Sequence, residues 1–323
     1  MSQHALDELH DDPGTLPVMR ARVEGNGSPR YVLYAIKKHG LDRQHGFHLD
    51  VQLVSDVIES DRETVEMKLQ RGEADLIDID YLSVARERAN GAPIVAFHPY
   101  GRTVGGLVVP ADSPDDGLAD LRGRRVGVVR RLDKNWILVR AACRADHGFD
   151  PDAEATVVEA GSKSGLTAML RDGEVDAALQ FWQLVPELVD RGDFREAVPM
   201  SRLVQRLSDT ERKVPVSTFL TTEGYLADHP DAVRGFKRAY RAAVARLVAD
   251  DDVWDELGER MMGGADPSVV AGVRDGWRGM VVRDWDRDTV AGMRRLFDHL
   301  HDVAGADALG VDRIPEGTFR VEA

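Results

Sequence analysis

With 323 residues, the chain is long enough for two α/β lobes, each with its own core, and too long for one small domain. Its formal net charge of −14 argues against general nucleic-acid binding and against an anionic membrane surface, and no apolar run approaches a membrane span although 43% of the residues are hydrophobic. The single cysteine, Cys143, excludes an intrachain disulfide and a cysteine-based zinc site; within the apolar helical pattern Ile137 to Ala145 it reads as an inert buried thiol.

Residues 1–18 are polar, and Asp11-Asp12-Pro13-Gly14 marks a flexible lead-in. The opening MSQHALDELHDDPG lacks a basic segment, an apolar core and a lipid-attachment cysteine. The chain as written is therefore expected to be cytoplasmic, and periplasmic or extracellular only with a start further upstream. Met19 to Glu24 alternates as a first strand. Gly25-Asn26-Gly27-Ser28-Pro29 breaks it before an apolar helical pattern at Tyr31 to His39, which makes a ligand-facing corner. His48 to Val54 is a second strand, followed by an amphipathic helix near Asp61 to Gln70, with Val65 and Leu69 four apart. A third strand follows Asp75, and this β-α-β-α-β order predicts a parallel sheet.

Pro93 to His98 and Val104 to Val109 read as strands around a polar turn, His98 to Thr103. A short helix at Gly117 to Leu121 leads to the strand Val126 to Val129, the loop Arg130-Arg131-Leu132-Asp133, and a helix through Cys143 with Trp136 near its start. Thr156 to Glu159 is a strand, Ser164 to Arg171 a helix and Val175 to Gln180 a strand, so the second lobe repeats the order of the first. Val216 to Thr221 returns the chain to lobe one. Pro230 sits just before or at the first turn of a long helix, Ala232 to Val248, the helical pattern continues to Phe297, and Asp307 to Ala323 is a tail without strong periodicity.

One internal echo stands out. Arg71 to Arg86, RGEADLIDIDYLSVAR, has its opening repeated at Arg171 to Trp182, RDGEVDAALQFW: a helix-ending glycine, a Glu, then Asp and a short apolar run ending in polar or aromatic residues. Both runs read as buried strands that deliver hydrogen-bonding and stacking groups to a site at their carboxyl ends.

The order of these motifs resembles the type II periplasmic-binding-protein fold, and within it the sulfonate, nitrate and thiamine-pyrimidine-precursor group of ABC-transporter solute-binding proteins. The residues carrying the resemblance are Gly72 to Leu76, Leu121 to Val128, Gly173 to Ala177 with Trp182, and Tyr225-Leu226 followed by His229-Pro230-Asp231; together they cover about residues 19 to 260. The resemblance implies two α/β lobes with mixed, mostly parallel sheets, helices on both faces and a ligand cleft between them. Lobe 1 would be residues 19–103 and 214–323 with the C-terminal helices, and lobe 2 residues 104–213. The chain would cross near His98 to Leu107 and near Val214 to Leu220. Enzymes such as desulfinases and thiamine-pyrimidine synthases are built on the same body, so fold alone does not choose between binding and catalysis.

Candidate site residues follow from position and chemistry. Arg130 and Arg131 lie between a strand and a helix, where an anion is favoured, or else are solvated surface charges; Asp133 reads as the helix cap. Asp78 and Asp80, two apart on a strand beside Tyr81, share a face suited to an amine or a hydroxyl, and a bare pair is a poor metal site. His98, Tyr100, Arg102 and Thr103 lie at the first crossing, where His98 is either a general acid/base or a histidine bonded to hinge backbone. Phe181 and Trp182, with Gln183 beside them, would form a stacking wall faced by Trp136, although Phe181 fits a core role equally. Asn26, Ser28, Ser217 and Thr218 from lobe one and Ser162, Lys163 and Ser164 from lobe two would add polar contacts.

The expected function is a solute-binding protein closing on a small organic, partly anionic ligand of sulfonate, carboxylate or pyrimidine type for an ABC importer. The alternatives are a cytoplasmic enzyme of desulfinase, lyase or thiamine-pyrimidine type, using His98 with Asp78 or Asp80 as acid and base, and a cytoplasmic ligand sensor. The expected partners are the small ligand and an ABC permease, with no nucleic acid, no transmembrane segment, no cofactor and no metal, and the chain is expected to be a monomer.

Overall fold

A computed structural model describes residues 2–55, 65–102, 105–208 and 213–321. Its strands are β1 (Val18–Glu24), β2 (His48–Val54), β3 (Ile77–Asp80), β4 (Ile94–Gly101), β5 (Gly105–Pro110), β6 (Arg125–Val128), β7 (Thr156–Glu159), β8 (Ala177–Phe181), β9 (Phe194–Pro199) and β10 (Ser217–Thr222). β1 pairs parallel with β2, a parallel bridge from Ala21 to Leu76 continues the layer towards β3, and β10 runs antiparallel between β3 and β4. The second sheet has the order β7-β6-β8-β5-β9, with β5 antiparallel to both its neighbours.

Both lobes thus carry one reversed strand, where the alternating pattern alone predicts only parallel ones. The reason is the route of the chain. β5 arrives from lobe 1 and β10 from lobe 2, so each enters at the cleft and runs away from it, against strands whose carboxyl ends face the cleft. Gly105, which opens β5, has φ +151°, and a Cβ there would lie 2.1 Å from the carbonyl oxygen of Gln180. Only glycine fits this crossing.

The sequence echo has a structural counterpart. Asp75 accepts from the backbone N–H of Arg20 at 2.9 Å and takes its guanidinium at 2.8 and 2.7 Å. Asp176 does the same for Arg125, at 2.8 Å to the backbone and 3.3 and 2.6 Å to the side chain. Each aspartate ties the strand that follows it to the start of a neighbouring strand of the same lobe, β1 for Asp75 and β6 for Asp176, while Gly72 and Gly173, at φ +72° and +69°, supply the left-handed turn before it. These aspartates therefore set strand register at the end remote from the cleft.

Several expectations are corrected. The lead-in is not loose: Ser2–Asp7 is helical, Ala5 and Leu6 are buried, and Lys37 donates to Asp11 at 2.9 Å. The polar turn expected from His98 is still β4, because Ser217 of β10 pairs as far as Gly101. Of the helix Asp61 to Gln70, Val65–Gln70 is observed and residues 61–64 lie outside the described residues, as does Thr103. Helices Val185–Asp190 and Met200–Ser208, with β9, fill a stretch for which no elements were predicted.

The C-terminal segment departs from the expected grouping with lobe 1. Helix Arg287–Ala304 packs on the lobe 2 helices Lys134–His147 and Met200–Ser208, placing Met293, Leu296, Phe297 and Leu300 in one core with Trp136, Ile137 and Leu203. The tail then returns to lobe 1, where the Ala96 N–H donates to Thr318 and the Arg320 N–H to Ala96, adding to the edge of β4. The apolar spacing of this helix shows that it buries a face, but not against which lobe.

Candidate functional site

Four loops meet at the carboxyl ends of β1, β3, β6 and β7, and each ends at the start of a helix: Ser28 before Pro29–Lys38, Asp80 before Tyr81–Ala89, Asp133 before Lys134–His147 and Ser162 before Lys163–Arg171. Asp80, Asp133 and Ser162 cap their own helices, accepting from the N–H of Ser83, Asn135 and Gly165. The loops enclose a cleft of about 650 Å³ between the two sheets, a size suited to a small organic molecule.

Lobe contacts surround this cleft. Lys163 of lobe 2 forms a close ion pair with Glu24 at the end of β1, and the Gln183 amide donates to the Asn26 carbonyl at 3.0 Å. The Arg86 guanidinium reaches the Leu132 carbonyl at 3.2 Å. Trp182 lies against the lobe 1 helix Pro267–Met280 at Gly276, where an added Cβ would sit 3.0 Å from the indole ring. Most of these contacts come from first-turn or strand-end residues, so the geometry follows from where the strands stop.

The structure brings many of the expected residues to this cleft: Ser28, Asp78, Asp80, Tyr100, Arg102, Arg130, Arg131, Phe181, Trp182, Gln183 and Ser217 all line it. Their roles differ. Asp80 is held by Ser83, whose N–H and hydroxyl both donate to it at 2.9 Å. Tyr100 is buried and accepts from the Trp277 indole N–H at 3.1 Å. Arg102 donates to the Gly279 carbonyl at 2.7 Å. Arg131 is committed to Asp152 at 2.5 Å with Glu159 at 3.8 Å, and Arg130, also at the cleft, is exposed.

The expected residues Trp136, Tyr81, His98 and Asn26 do not line the cleft. Trp136 is fully buried and donates its indole N–H to Asp152 at 2.8 Å; helical spacing turns it into the lobe 2 core, away from Trp182. Tyr81 is likewise buried and donates to the Met293 carbonyl at 3.1 Å. His98 lies among Phe97, Phe219, Phe236 and Tyr240, with Nδ1 at 2.8 Å from the Pro99 carbonyl, and burial depresses its pKa to about 3. It takes the hinge-backbone reading. No acid/base pair with Asp78 or Asp80 forms, since a neutral imidazole inside an aromatic shell touches neither. Asn26 joins the lobes instead, its carbonyl accepting from Gln183 and its Oδ1 from Lys163 at 3.5 Å.

The charged floor of the cleft includes two groups that sequence reasoning did not single out, Glu24 and Lys134. Glu24 ends β1 and Lys134 opens a helix, positions that face a cleft in open α/β sheets, which is the signal that would have found them. The Lys134 ammonium lies 4.9 Å from the centre of the Phe181 ring, as does that of Lys163, and Lys134 makes no hydrogen bond among the described residues. Burial opposes its charge, but Asp133, Asp80, Glu24 and Asp78 hold its pKa above the ordinary value. Burial likewise works against Glu24, and Lys163 overrides it, so Glu24 stays ionised. Asp78 differs: burial, then the charge of Glu24, pushes its pKa up to about 7, and its carboxyl has no hydrogen bond or ion pair among the described residues.

The cleft thus offers, without a hydrogen bond or ion pair among the described residues, an ammonium against an aromatic face on lobe 2 and a carboxyl on lobe 1. It can hold a small molecule by charge, hydrogen bonding and stacking. Among the described residues, no group of three or more His, Cys, Asp or Glu is placed to hold a metal ion.

The sequence matches the family model described as NMT1/THI5 like over residues 33–252. Among solved structures, the chain is similar to the alkanesulfonate-binding protein SsuA from Xanthomonas axonopodis pv. citri bound to MOPS, at 17% identity and a TM-score of 0.73, covering 96% of this chain and 97% of that one. It is similar to the periplasmic aliphatic sulphonate binding protein SsuA from Escherichia coli, at 16% identity and a TM-score of 0.70, covering 95% and 94%. It also resembles the Candida albicans CA3427 gene product, described as exhibiting the generic periplasmic binding protein structural fold, at 14% identity and a TM-score of 0.64, covering 95% and 99%. A comparison with curated proteins finds no match. The fold is the two-lobed periplasmic-binding-protein fold, in agreement with the order of motifs.

Proposed function

From the premise that the chain belongs to the NMT1/THI5-like family, we propose that it is a solute-binding protein that closes on one small organic, partly anionic ligand and delivers it to an ABC importer. The observation that carries this reading is the cleft itself, about 650 Å³ between the strand ends of two lobes, with the Lys134 ammonium beside Phe181 and without a hydrogen bond among the described residues. Relatives named as sulfonate-binding proteins, one of them holding MOPS, support a ligand of sulfonate, carboxylate or pyrimidine type. The description of the Escherichia coli protein as periplasmic supports action outside the cytoplasm. The sealed position of His98 speaks against the enzymatic alternative, because its one polar contact is to hinge backbone.

The test is a thermal-shift screen across alkanesulfonates, carboxylates and pyrimidines. A ligand that binds only the folded state raises its stability by mass action, by about 2.7 kcal/mol at a hundred times Kd. The hit should bind one molecule per chain and be recovered chemically unchanged. Consumption of the hit, with turnover abolished by His98→Ala, would replace this reading with the enzymatic one.

A further inference from the structure

The two acids of the third strand are not equivalent, although their spacing suggested a matched pair. Asp80 spends both carboxylate oxygens on Ser83. Asp78, two residues earlier and half-buried at the cleft floor, spends none among the described residues. A desolvated carboxyl without a donor is costly unless something supplies one. Among the described residues no cation hydrogen-bonds or ion-pairs with it: Lys163, paired with Glu24 across the lobes, and Lys134, over Phe181, act on it only through space, while Arg131 is committed to Asp152 and Arg102 to Gly279. Burial and the charge of neighbouring Glu24 outweigh the through-space pull of Lys163 and Lys134, so a carboxylate at Asp78 favours an added positive charge.

The opposite wall carries a cation, kept charged against burial by Asp133, Asp80, Glu24 and Asp78. Lys134 presents an ammonium without a hydrogen-bond acceptor among the described residues, at the first turn of a fourteen-residue helix whose dipole also favours an anion. Phe181 and Trp182 line the cleft between them.

Resting on the solute-binding reading above, we infer that the ligand is a zwitterion: a small organic molecule whose protonated amine or guanidinium is received by Asp78, and whose anionic group faces Lys134. Asp78 is then the residue that distinguishes an amine-bearing anion from the same anion without the amine. Receiving a cation favours the ionised form of Asp78, so near neutral pH the complex sheds a fraction of a proton to solvent as it forms.

The experiment uses matched probes on the full chain: aminohexanoate against hexanoate, and an aminoalkanesulfonate against the alkanesulfonate of equal length, by titration calorimetry near neutral pH in two buffers of different ionisation enthalpy. The amine-bearing member of a pair should bind about 10- to 100-fold tighter, the range of a charge-assisted hydrogen bond, and should release a fraction of a proton. Asp78→Asn should erase that preference, and Asp78→Glu should keep part of it. Equal binding of both members, or a preference that survives in Asp78→Asn, overturns the inference and leaves solute binding intact. No binding by any zwitterionic probe also overturns it, while a hit among amine-free anions in the wider screen would show that the solute-binding reading stands without it.

Discussion

Replacing Asp78 by asparagine should stabilise the ligand-free protein, and by an amount that depends on pH in a defined way. Burial, reinforced by Glu24, lifts the Asp78 pKa from its ordinary 3.8 to about 7. Below 3.8 the carboxyl is protonated in both the folded and unfolded chain and costs nothing. As pH rises from there, the unfolded chain loses the proton first, so the penalty on folding grows until the folded group ionises as well, near 7. That displacement is about three pH units, and at about 1.4 kcal/mol per unit it amounts to about 4 kcal/mol at the upper end. Contact with water in the cleft reduces this to about 2–3 kcal/mol. Urea unfolding of the wild type and Asp78→Asn, followed by tryptophan fluorescence, should show a gain below about 1 kcal/mol near pH 4.5 and the full gain near pH 8. A gain that is independent of pH, or a loss at pH 8, would refute the reasoning, because the first is not a titration and the second means that the carboxylate has a partner.

The Glu24–Lys163 pair joins the lobes, so Glu24→Gln, Lys163→Met and the double variant should give a coupling energy of about 1–2 kcal/mol in a double-mutant cycle on ligand affinity; additivity would mean that the pair does not hold the closed form. Gly276→Leu should push against Trp182 and weaken ligand binding about tenfold or more while leaving the far-ultraviolet circular dichroism unchanged; unaltered affinity would show that the lobes need not meet there. Gly105→Ala places a Cβ against the Gln180 carbonyl at a positive φ and should lower the unfolding free energy by about 3 kcal/mol, measured by denaturant titration; a drop under half that value would mean that the crossing is pliant. Cys143, fully buried and with its thiol pKa pushed up to about 12 by burial, should resist a thiol reagent in the native protein and react at once in urea; prompt native reaction would contradict its packing.

Local signals in the sequence were enough to place the strands bordering the cleft. The alternation at Met19 to Glu24, the glycine break after it, and the two Gly-Glu-Ala/Val-Asp runs each mark a strand that ends at the cleft, and in the structure the paired aspartates Asp75 and Asp176 do matching work in the two lobes. What local signals did not carry was pairing over long distances. Helix Arg287–Ala304 has an apolar face that either lobe would satisfy, and its packing on lobe 2 depends on Trp136 and Leu203, far away in the chain. The same limit explains the site. Arg130 and Arg131 looked like the cationic residues because they sit in the strand-to-helix loop, but whether a guanidinium is available depends on Asp152 and Glu159, which only folding brings near. Lys134, one turn further on, keeps its charge uncommitted. For His98 the sequence leaves acid/base and hinge-backbone roles open, and the choice is made by the aromatic rings of Phe219, Phe236 and Tyr240, all from the returning chain, that close around it.

The central claim is that this cleft holds one ligand between Lys134 and Asp78 without changing it. Titration calorimetry with the strongest hit of the thermal-shift screen, repeated with Lys134→Ala and with the recovered ligand analysed by mass spectrometry, tests that claim most directly. The account predicts one site per chain, affinity reduced about tenfold or more in Lys134→Ala, and a ligand of unaltered mass. Undiminished binding in Lys134→Ala, or a ligand returned with a changed mass, would contradict it.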